Sequence, residues 1–292
     1  MKALIAFATF AFIAAGLVPG AASGGRIAIV AAENFYGDVA RQIGGDRVEV
    51  DSILRNPAQD PHLFEASPSD VRAVAGAQIV IYNGADYDPW MAKLVAATRK
   101  GGRTVIVAAA LTHKNAGDNP HLWYDPSTMP VVAAAIASAL SAADPAHKAD
   151  YAARLQRFTA SLAPLDEKIA TIRKKYAGAA VAATEPVFGA MATALDLKMH
   201  DRTFQIAVMN DTEPSARALA AFEHELKTHA VRVLFYNEQA SNNLVRHLLD
   251  LARASKIPVV GVTETEPPGR SYQDWMMSEL DATERALAGT SS

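Results

Sequence analysis

Apolar residues in this chain follow two alternating patterns: short Val- and Ile-rich runs, and longer stretches where they recur every three or four positions. Residues 26–32, 48–54, 78–83 and 104–109 read as strands in the first half. Helical stretches at 36–43, 67–75 and 88–98 lie between them. Runs that stay apolar, instead of alternating, are what strands covered on both faces show, and alternating β and α units imply a parallel sheet with helices on its faces. Residues 180–183, 204–208, 231–236 and 258–262 repeat the theme in the second half. The expected fold is α/β, with two lobes, each a parallel β-sheet flanked by helices, bridged by one long α-helix.

That helix is the clearest periodic signal. Asp144-Pro145 reads as an N-cap followed by a first-turn proline. Tyr151, Leu155, Phe158, Leu162, Leu165, Ile169 and Ile172 then recur at spacings of three and four, one apolar stripe running to about Tyr176. Pro164 lies inside the stripe and is expected to kink the helix without ending it. At ~1.5 Å per residue such a helix spans roughly 45 Å, enough to link two lobes. The expected organisation is an N-terminal lobe at 24–143, the linking helix at 144–177 and a C-terminal lobe at 178–292.

The first residues have a different character. Lys2 precedes an uncharged apolar run over residues 3–18, Pro19-Gly20 breaks it, and Ala21-Ala22-Ser23 offers small residues for cleavage. Residues 1–23 therefore read as an export signal, too short to span a bilayer comfortably. With no second run of spanning length, the mature protein is expected to be soluble.

Composition narrows the chemistry. Of 292 residues, 50% are hydrophobic and 20% charged, which excludes a disordered chain. A net charge of −3, from 28 Lys+Arg against 31 Asp+Glu, gives no basic excess for general nucleic-acid binding. Cysteine is absent and histidine occurs 8 times. Zero cysteine removes thiolate metal sites, thiol nucleophiles and disulfides, and with them attachment of lipid at an N-terminal cysteine. A free periplasmic protein is expected, and any metal chemistry must use imidazole and carboxylate.

Most candidate motifs fail. His224 and His229 flank Glu225 in a zinc-protease-like stretch, but they stand five apart where that motif needs four. The glycine pairs build no dinucleotide fingerprint or phosphate loop, and no Gly-x-Ser-x-Gly elbow occurs. Two histidines stand apart. His62 follows Asp60-Pro61 and His121 follows Asn119-Pro120, so each sits on a stiff, extended loop after a strand, where ligands of α/β sheets bind. Neighbouring carboxylates such as Asp60 and Asp125 are candidates to fix the imidazole tautomers. His113, His147, His200, His224, His229 and His247 carry no such support.

The segments Asp60-Pro61-His62-Leu63-Phe64-Glu65-Ala66-Ser67-Pro68-Ser69-Asp70, Tyr82-Asn83-Gly84 and Asn119-Pro120-His121-Leu122-Trp123 resemble the signature stretches of one family. It is the cluster A-I (zinc/manganese-type) periplasmic metal-binding proteins of ABC importers, and the resemblance covers essentially the whole mature chain. It implies a metal held in the interlobe cleft by four side chains, with His62 and His121 matching the two from the N-terminal lobe. Glu185, three residues before Phe188, matches the third. The fourth, usually an aspartate after the last strand, falls on Glu264 by register, with Glu266 as competitor. Two departures are visible. A stretch that usually reads Phe-Thr-Glu-Pro-Gln appears as Phe235-Tyr236-Asn237-Glu238-Gln239, so Glu238 is given no role, and the His- and acid-rich loop of many zinc-dedicated members is missing.

Two imidazoles and two carboxylates suit zinc in a four-coordinate arrangement, and manganese or ferrous iron with more oxygen. Zn2+ or Mn2+ is thus the expected cargo, delivered by a monomer to the membrane permease of an ABC importer, with no catalysis and no nucleic acid involved. Two other classes share the histidines: an exported zinc metalloenzyme, which needs an open coordination position and a general base, and a binder of an organic metal chelate.

Overall fold

The computed structural model describes residues 25–59, 61, 64–240 and 242–289. The expected export signal at 1–23, Asp60 and His62 lie outside the described residues.

Two four-stranded parallel sheets form the frame. The first comprises β1 (Ile27–Glu33), β2 (Val48–Leu54), β3 (Ile79–Tyr82) and β4 (Thr104–Val107), in the order β2-β1-β3-β4. The second comprises β5 (Ala180–Ala183), β6 (Lys198–Met199), β7 (Leu234–Asn237) and β8 (Val259–Val262), in the order β6-β5-β7-β8. The two orders are the same topology used twice. Each sheet reverses its winding between its first and third strands, the point where α/β sheets open a crevice at the carboxyl ends of the strands.

Helices α1 (Asn34–Gly44), α2 (Pro68–Gly76), α3 (Pro89–Ala97), α4 (Ala108–Leu111) and α5 (Thr128–Ala143) accompany the first sheet. The link between lobes is α6 (Lys148–Ser161) followed by α7 (Ala163–Tyr176). Helices α8 (Gly189–Ala194), α9 (Arg202–Met209), α10 (Ala216–Lys227), α11 (Asn243–Ala254) and α12 (Tyr272–Leu287) accompany the second sheet. Among the described residues, no helix is long and apolar enough to cross a membrane.

The linking stripe is buried as its spacing predicts, at Tyr151, Phe158, Leu162, Leu165, Ile169 and Ile172. Pro164 lacks the N–H that would reach the carbonyl of Ala160, and Leu162 donates instead to Thr159 O at 3.2 Å, tightening the turn. Leu162 keeps helical dihedrals (φ −83°, ψ −16°), so α6 runs into α7 with this one residue between them. Asp144 does not cap the helix: its carboxylate accepts from Tyr151 Oη at 2.8 Å and contacts His147 Nδ1 at 2.6 Å.

One hydrophobic core runs through both lobes. It includes Ile29, Ile81 and Ile106 from the first sheet, Val181, Phe235 and Val260 from the second, the linking stripe, and Trp275, Met276 and Leu280 of α12. Each such buried side chain contributes about 1.5–3 kcal/mol. Helix α12 bonds to the opposite lobe as well, through Tyr272 Oη to Trp123 O at 2.8 Å and Tyr272 N to Asp38 Oδ2 at 3.0 Å.

Two strand expectations need correction. Residues 204–208 belong to α9; Phe204 and Val208 are buried one helical turn apart, and five apolar residues are too few for periodicity to separate helix from strand. The edge position is taken by the two-residue β6, which pairs Lys198 with Ala180 and Met199 with Val181. Strand β4 ends at Val107, and Ala108-Ala109 open α4.

Candidate metal centre

The carboxyl ends of both sheets face one another, and polar side chains there are buried. Glu33 closes β1, Asn83 follows β3, Glu185 follows β5, Asn237 closes β7 and Glu264 follows β8; all are at most 3% exposed. Unpaired, such groups would cost several kcal/mol each, so their partners define the site.

His121 sits at the centre of the N-terminal side, fully buried before the short turn Leu122–Tyr124. Its ring contacts Trp123 edge-on at 5.4 Å and Tyr87 at 6.0 Å between centroids. Asn119 orients it. Asn119 Nδ2 donates to Pro186 O at 2.8 Å, which points Oδ1 back at His121, where it accepts from the backbone N at 3.1 Å and lies 2.7 Å from Nδ1. An oxygen already committed as acceptor requires Nδ1 to carry hydrogen, and Nε2 is left facing the cleft. There it lies 3.2 Å from Glu264 Oε2. The tautomer is thus held by Asn119. Asp125, expected for that task, spends its carboxylate on Ser127 N at 2.9 Å and Ser127 Oγ at 2.7 Å.

Below His121, Asn83 fixes the approach of its loop. Asn83 Nδ2 donates to Pro120 O at 2.8 Å and to Gly84 O at 3.0 Å, while Oδ1 accepts from Tyr36 Oη at 2.7 Å. The turn carrying Asn83 is clamped by Asp88, whose carboxylate accepts from Asn83 N and Gly84 N, both at 2.7 Å. Glu33 lies against Asp88. Burial first, then the Asp88 carboxylate, pushes Glu33 well above the usual range, and burial raises Asp88 to about 6. Burial and the carboxylates of Glu264 and Glu33 likewise push the Tyr87 phenol up.

On the C-terminal side the two glutamates meet across one amide. Asn237 Nδ2 donates to Glu264 Oε1 at 2.6 Å and to Glu185 Oε2 at 3.1 Å. His121, Glu185 and Glu264 are therefore brought together from three separate segments. Glu266 is not: it lies against Asp38 and Arg41 of α1, its backbone bonds reciprocally with the Asn34 side chain, and burial followed by Asp38 raises it to about 9. Glu264, and not Glu266, lies at the meeting point with His121 and Glu185. Among the described residues, no three His, Asp or Glu side chains stand as one ion-ready group, the amide of Asn237 occupying the space between the two carboxylates. Glu238 is exposed. Asn237 itself was visible in the sequence only as a departure, and Asn119 only as a neighbour of the proline; nothing in their local patterns marked them as the site's hydrogen-bond donors.

Of the remaining histidines, His200 pairs with Glu225 through Nδ1 at 3.0 Å and His247 with Glu223 at 3.0 Å, away from this cleft.

The sequence profile described as "ZnuA: Zinc-uptake complex component A periplasmic" matches residues 29–286. A manganese ABC transporter substrate-binding lipoprotein, PsaA of Streptococcus mitis, is 32% identical over 51% of this chain. The match spans about half of that relative's length, 52%. The iron ABC transporter substrate-binding lipoprotein MtsA of Streptococcus pyogenes is 24% identical over 90% of this chain and 89% of its own. Among solved structures, the periplasmic zinc-binding protein TroA from Treponema pallidum superposes with a TM-score of 0.77 at 18% identity, covering 92% of this chain and all of that one. The last likeness concerns the fold: two parallel-sheet lobes joined by a helix.

Proposed function

The chain belongs to the ZnuA family, and from that membership we propose that it is a substrate-binding component that captures a divalent transition-metal ion between its lobes and delivers it to the permease of an ABC importer. The observation that carries this reading is the convergence of His121 Nε2 and Glu264 Oε2 at 3.2 Å, with Glu185 joined to Glu264 through Asn237. His121, Glu185 and Glu264 come from loops after different strands and serve no shared structural purpose that an apolar trio could not serve better.

The ligand set is His121, Glu185 and Glu264, with His62 as the fourth donor by its place in the sequence motif. Lobes at 24–143 and 178–292, with 144–177 between them, then supply two donors each. An ion entering the cleft takes over the contact between His121 and Glu264 and draws both carboxylates from the Asn237 amide. Two neutral imidazoles and two carboxylates neutralise a divalent charge and offer four to six donor atoms according to how the carboxylates bind. Zinc or manganese, or ferrous iron, fits; related proteins carry all three metals in their names. The ion is cargo, and the chain's work is binding and release without bond-making.

The protein acts in the periplasm as a monomer, without nucleic acid. Several relatives are named lipoproteins, whereas these 292 residues contain no cysteine to carry a lipid, which supports a form free of that anchor. Fractionation with and without detergent tests that point.

Metal analysis of protein from its native compartment, followed by zinc–manganese competition, identifies the cargo. His121→Ala is expected to weaken binding by at least about a hundredfold; because its buried ring also packs against Trp123 and Tyr87, the melting temperature of the metal-free variant falls too, and affinity is read where the variant is folded. Affinity unchanged in that variant would place the metal elsewhere.

A further inference from the structure

Gln239 stands two residues beyond β7 and touches three segments at once. Its backbone N donates to Asn237 Oδ1 at 3.0 Å, orienting the amide that holds both glutamates. Its side-chain Oε1 accepts from Glu264 N at 2.6 Å and from Thr265 N at 3.1 Å, fixing the turn that presents Glu264. Its Nε2 then crosses to the other lobe and donates to Gln59 O at 2.9 Å, on the loop after β2. That loop is otherwise exposed at 55–58 and held by its own turn, through Ala58 N and Gln59 N to Asn56.

An amide group is planar and rigid, so its two ends cannot move independently. A displacement of the Glu264 main chain at Oε1 must be accommodated at Nε2, or the bond to Gln59 must stretch. We propose that Gln239 is a positioning residue that latches the 55–59 loop of the N-terminal lobe to the Glu264 turn of the C-terminal lobe, and so sets how fast a captured metal ion leaves. The proposal rests on the reading of Glu264 as a ligand. Other bonds between the lobes join different places, among them Asn34 to Glu266, Tyr124 Oη to Thr263 O at 2.9 Å, Asn119 to Pro186 and Tyr272 to Trp123. None of them attaches the 55–59 loop, so they hold the lobes while Gln239 holds this flap.

Two variants separate the latch from the support of Glu264. Gln239→Glu retains an acceptor for the amides of Glu264 and Thr265 but has no hydrogen to give Gln59 O. Gln239→Ala removes both functions. Protein loaded with Zn2+ is mixed with excess chelator in a stopped-flow instrument, and association is measured separately. In Gln239→Glu, dissociation is expected to rise about fivefold, the equivalent of one neutral hydrogen bond, with association within about twofold of wild type. The added negative charge beside the ion acts in the opposite sense, so faster release reports the lost latch. Hydrogen exchange at residues 55–59 of the zinc-loaded protein is expected to quicken in parallel. If only Gln239→Ala releases zinc faster, the residue supports Glu264 alone and the latch is overturned; unchanged rates in both overturn it equally. A parallel Glu264→Gln measurement tells the two readings apart: unaltered zinc affinity there removes the ligand set itself, whereas weakened affinity with unaltered Gln239→Glu kinetics removes only the latch.

Discussion

The two lobes share one strand order, yet they use its equivalent positions for different ends. At or just after the end of the first strand of each sheet stands a buried glutamate, Glu33 in one lobe and Glu185 in the other; after or at the end of the third strand stands Tyr-Asn, Tyr82-Asn83 and Tyr236-Asn237. In the N-terminal lobe, Asn83 donates to backbone carbonyls and Glu33 is pressed against a second acid, Asp88. In the C-terminal lobe, Asn237 donates to two carboxylates. The first arrangement is a scaffold that holds the His121 loop; the second, under the proposed function, keeps charge available to an ion. A glutamate at a strand end is therefore no signature by itself. What faces it decides whether it serves the fold or the cargo.

Exchanging the equivalent residues tests this division, and the glutamates give the largest effect. Glu185→Gln is expected to weaken metal binding by about a hundredfold, since a donor of charge is replaced by a neutral amide. Glu33→Gln is expected to leave affinity within about threefold, because Glu33 faces Asp88 and burial favours its protonated form, which the amide resembles. Calorimetric titration of both with zinc and manganese checks the contrast. Equal losses in the two variants would show that the lobes do not differ in the way their partners suggest.

The asparagines come next, with the readouts reversed. Asn83→Ala strands the buried Tyr36 hydroxyl and the Pro120 carbonyl, and is expected to cost about 3 kcal/mol of stability with or without metal. Asn237→Ala strands the Gln239 N–H and leaves the buried Glu185 and Glu264 carboxylates without their shared donor, so chemical denaturation of the metal-free protein should register a loss of about 3 kcal/mol, much of it recovered when metal is added. Its carboxylates lose a neutralising donor, which raises the stability gained on adding metal. Denaturant curves of each variant, with and without zinc, separate the two asparagines.

Much of this division was legible in the sequence, for identifiable reasons. The sheets were readable from apolar runs, and the linking helix from a stripe whose every member lies in or against the core. His121 and Glu264 came from motif and register, and both arrive at one point. Residues 204–208 misled because a five-residue apolar run has no decisive period, and because the true edge strand, β6, is two residues long and too short to leave a pattern. The carboxylates offered as candidates to fix the His121 tautomer missed Asn119 for a related reason. A carboxylate four residues later and an amide two residues earlier are equal candidates in one dimension; only the Pro186 carbonyl, 67 positions away, turns Asn119 toward the ring. Hydrogen-bond donors that act across lobes leave no local trace.

The smallest effect concerns a buried acid in the C-terminal lobe that neither binds nor clamps. Glu279 of α12 accepts from Trp275 Nε1 at 3.1 Å, and burial raises it to about 8. An unfolded glutamate ionises near 4.3. Between these values the folded state holds the extra proton, so stability falls as pH rises from about 4.5 and levels off above about 8. Glu279→Gln keeps an oxygen for Trp275 and has no proton to lose. Thermal melting is expected to show the variant equal to wild type at pH 4 and higher by roughly 4 °C at pH 9. Glu33, raised in the same direction by burial, adds its own fall over the same rising pH, so Glu33→Gln should flatten the profile further when combined with Glu279→Gln. Additive flattening would mean that the N-terminal acid is a structural group like Glu279. A metal-dependent change in the Glu33→Gln slope alone would instead tie Glu33 to the ion and erase the contrast with Glu185.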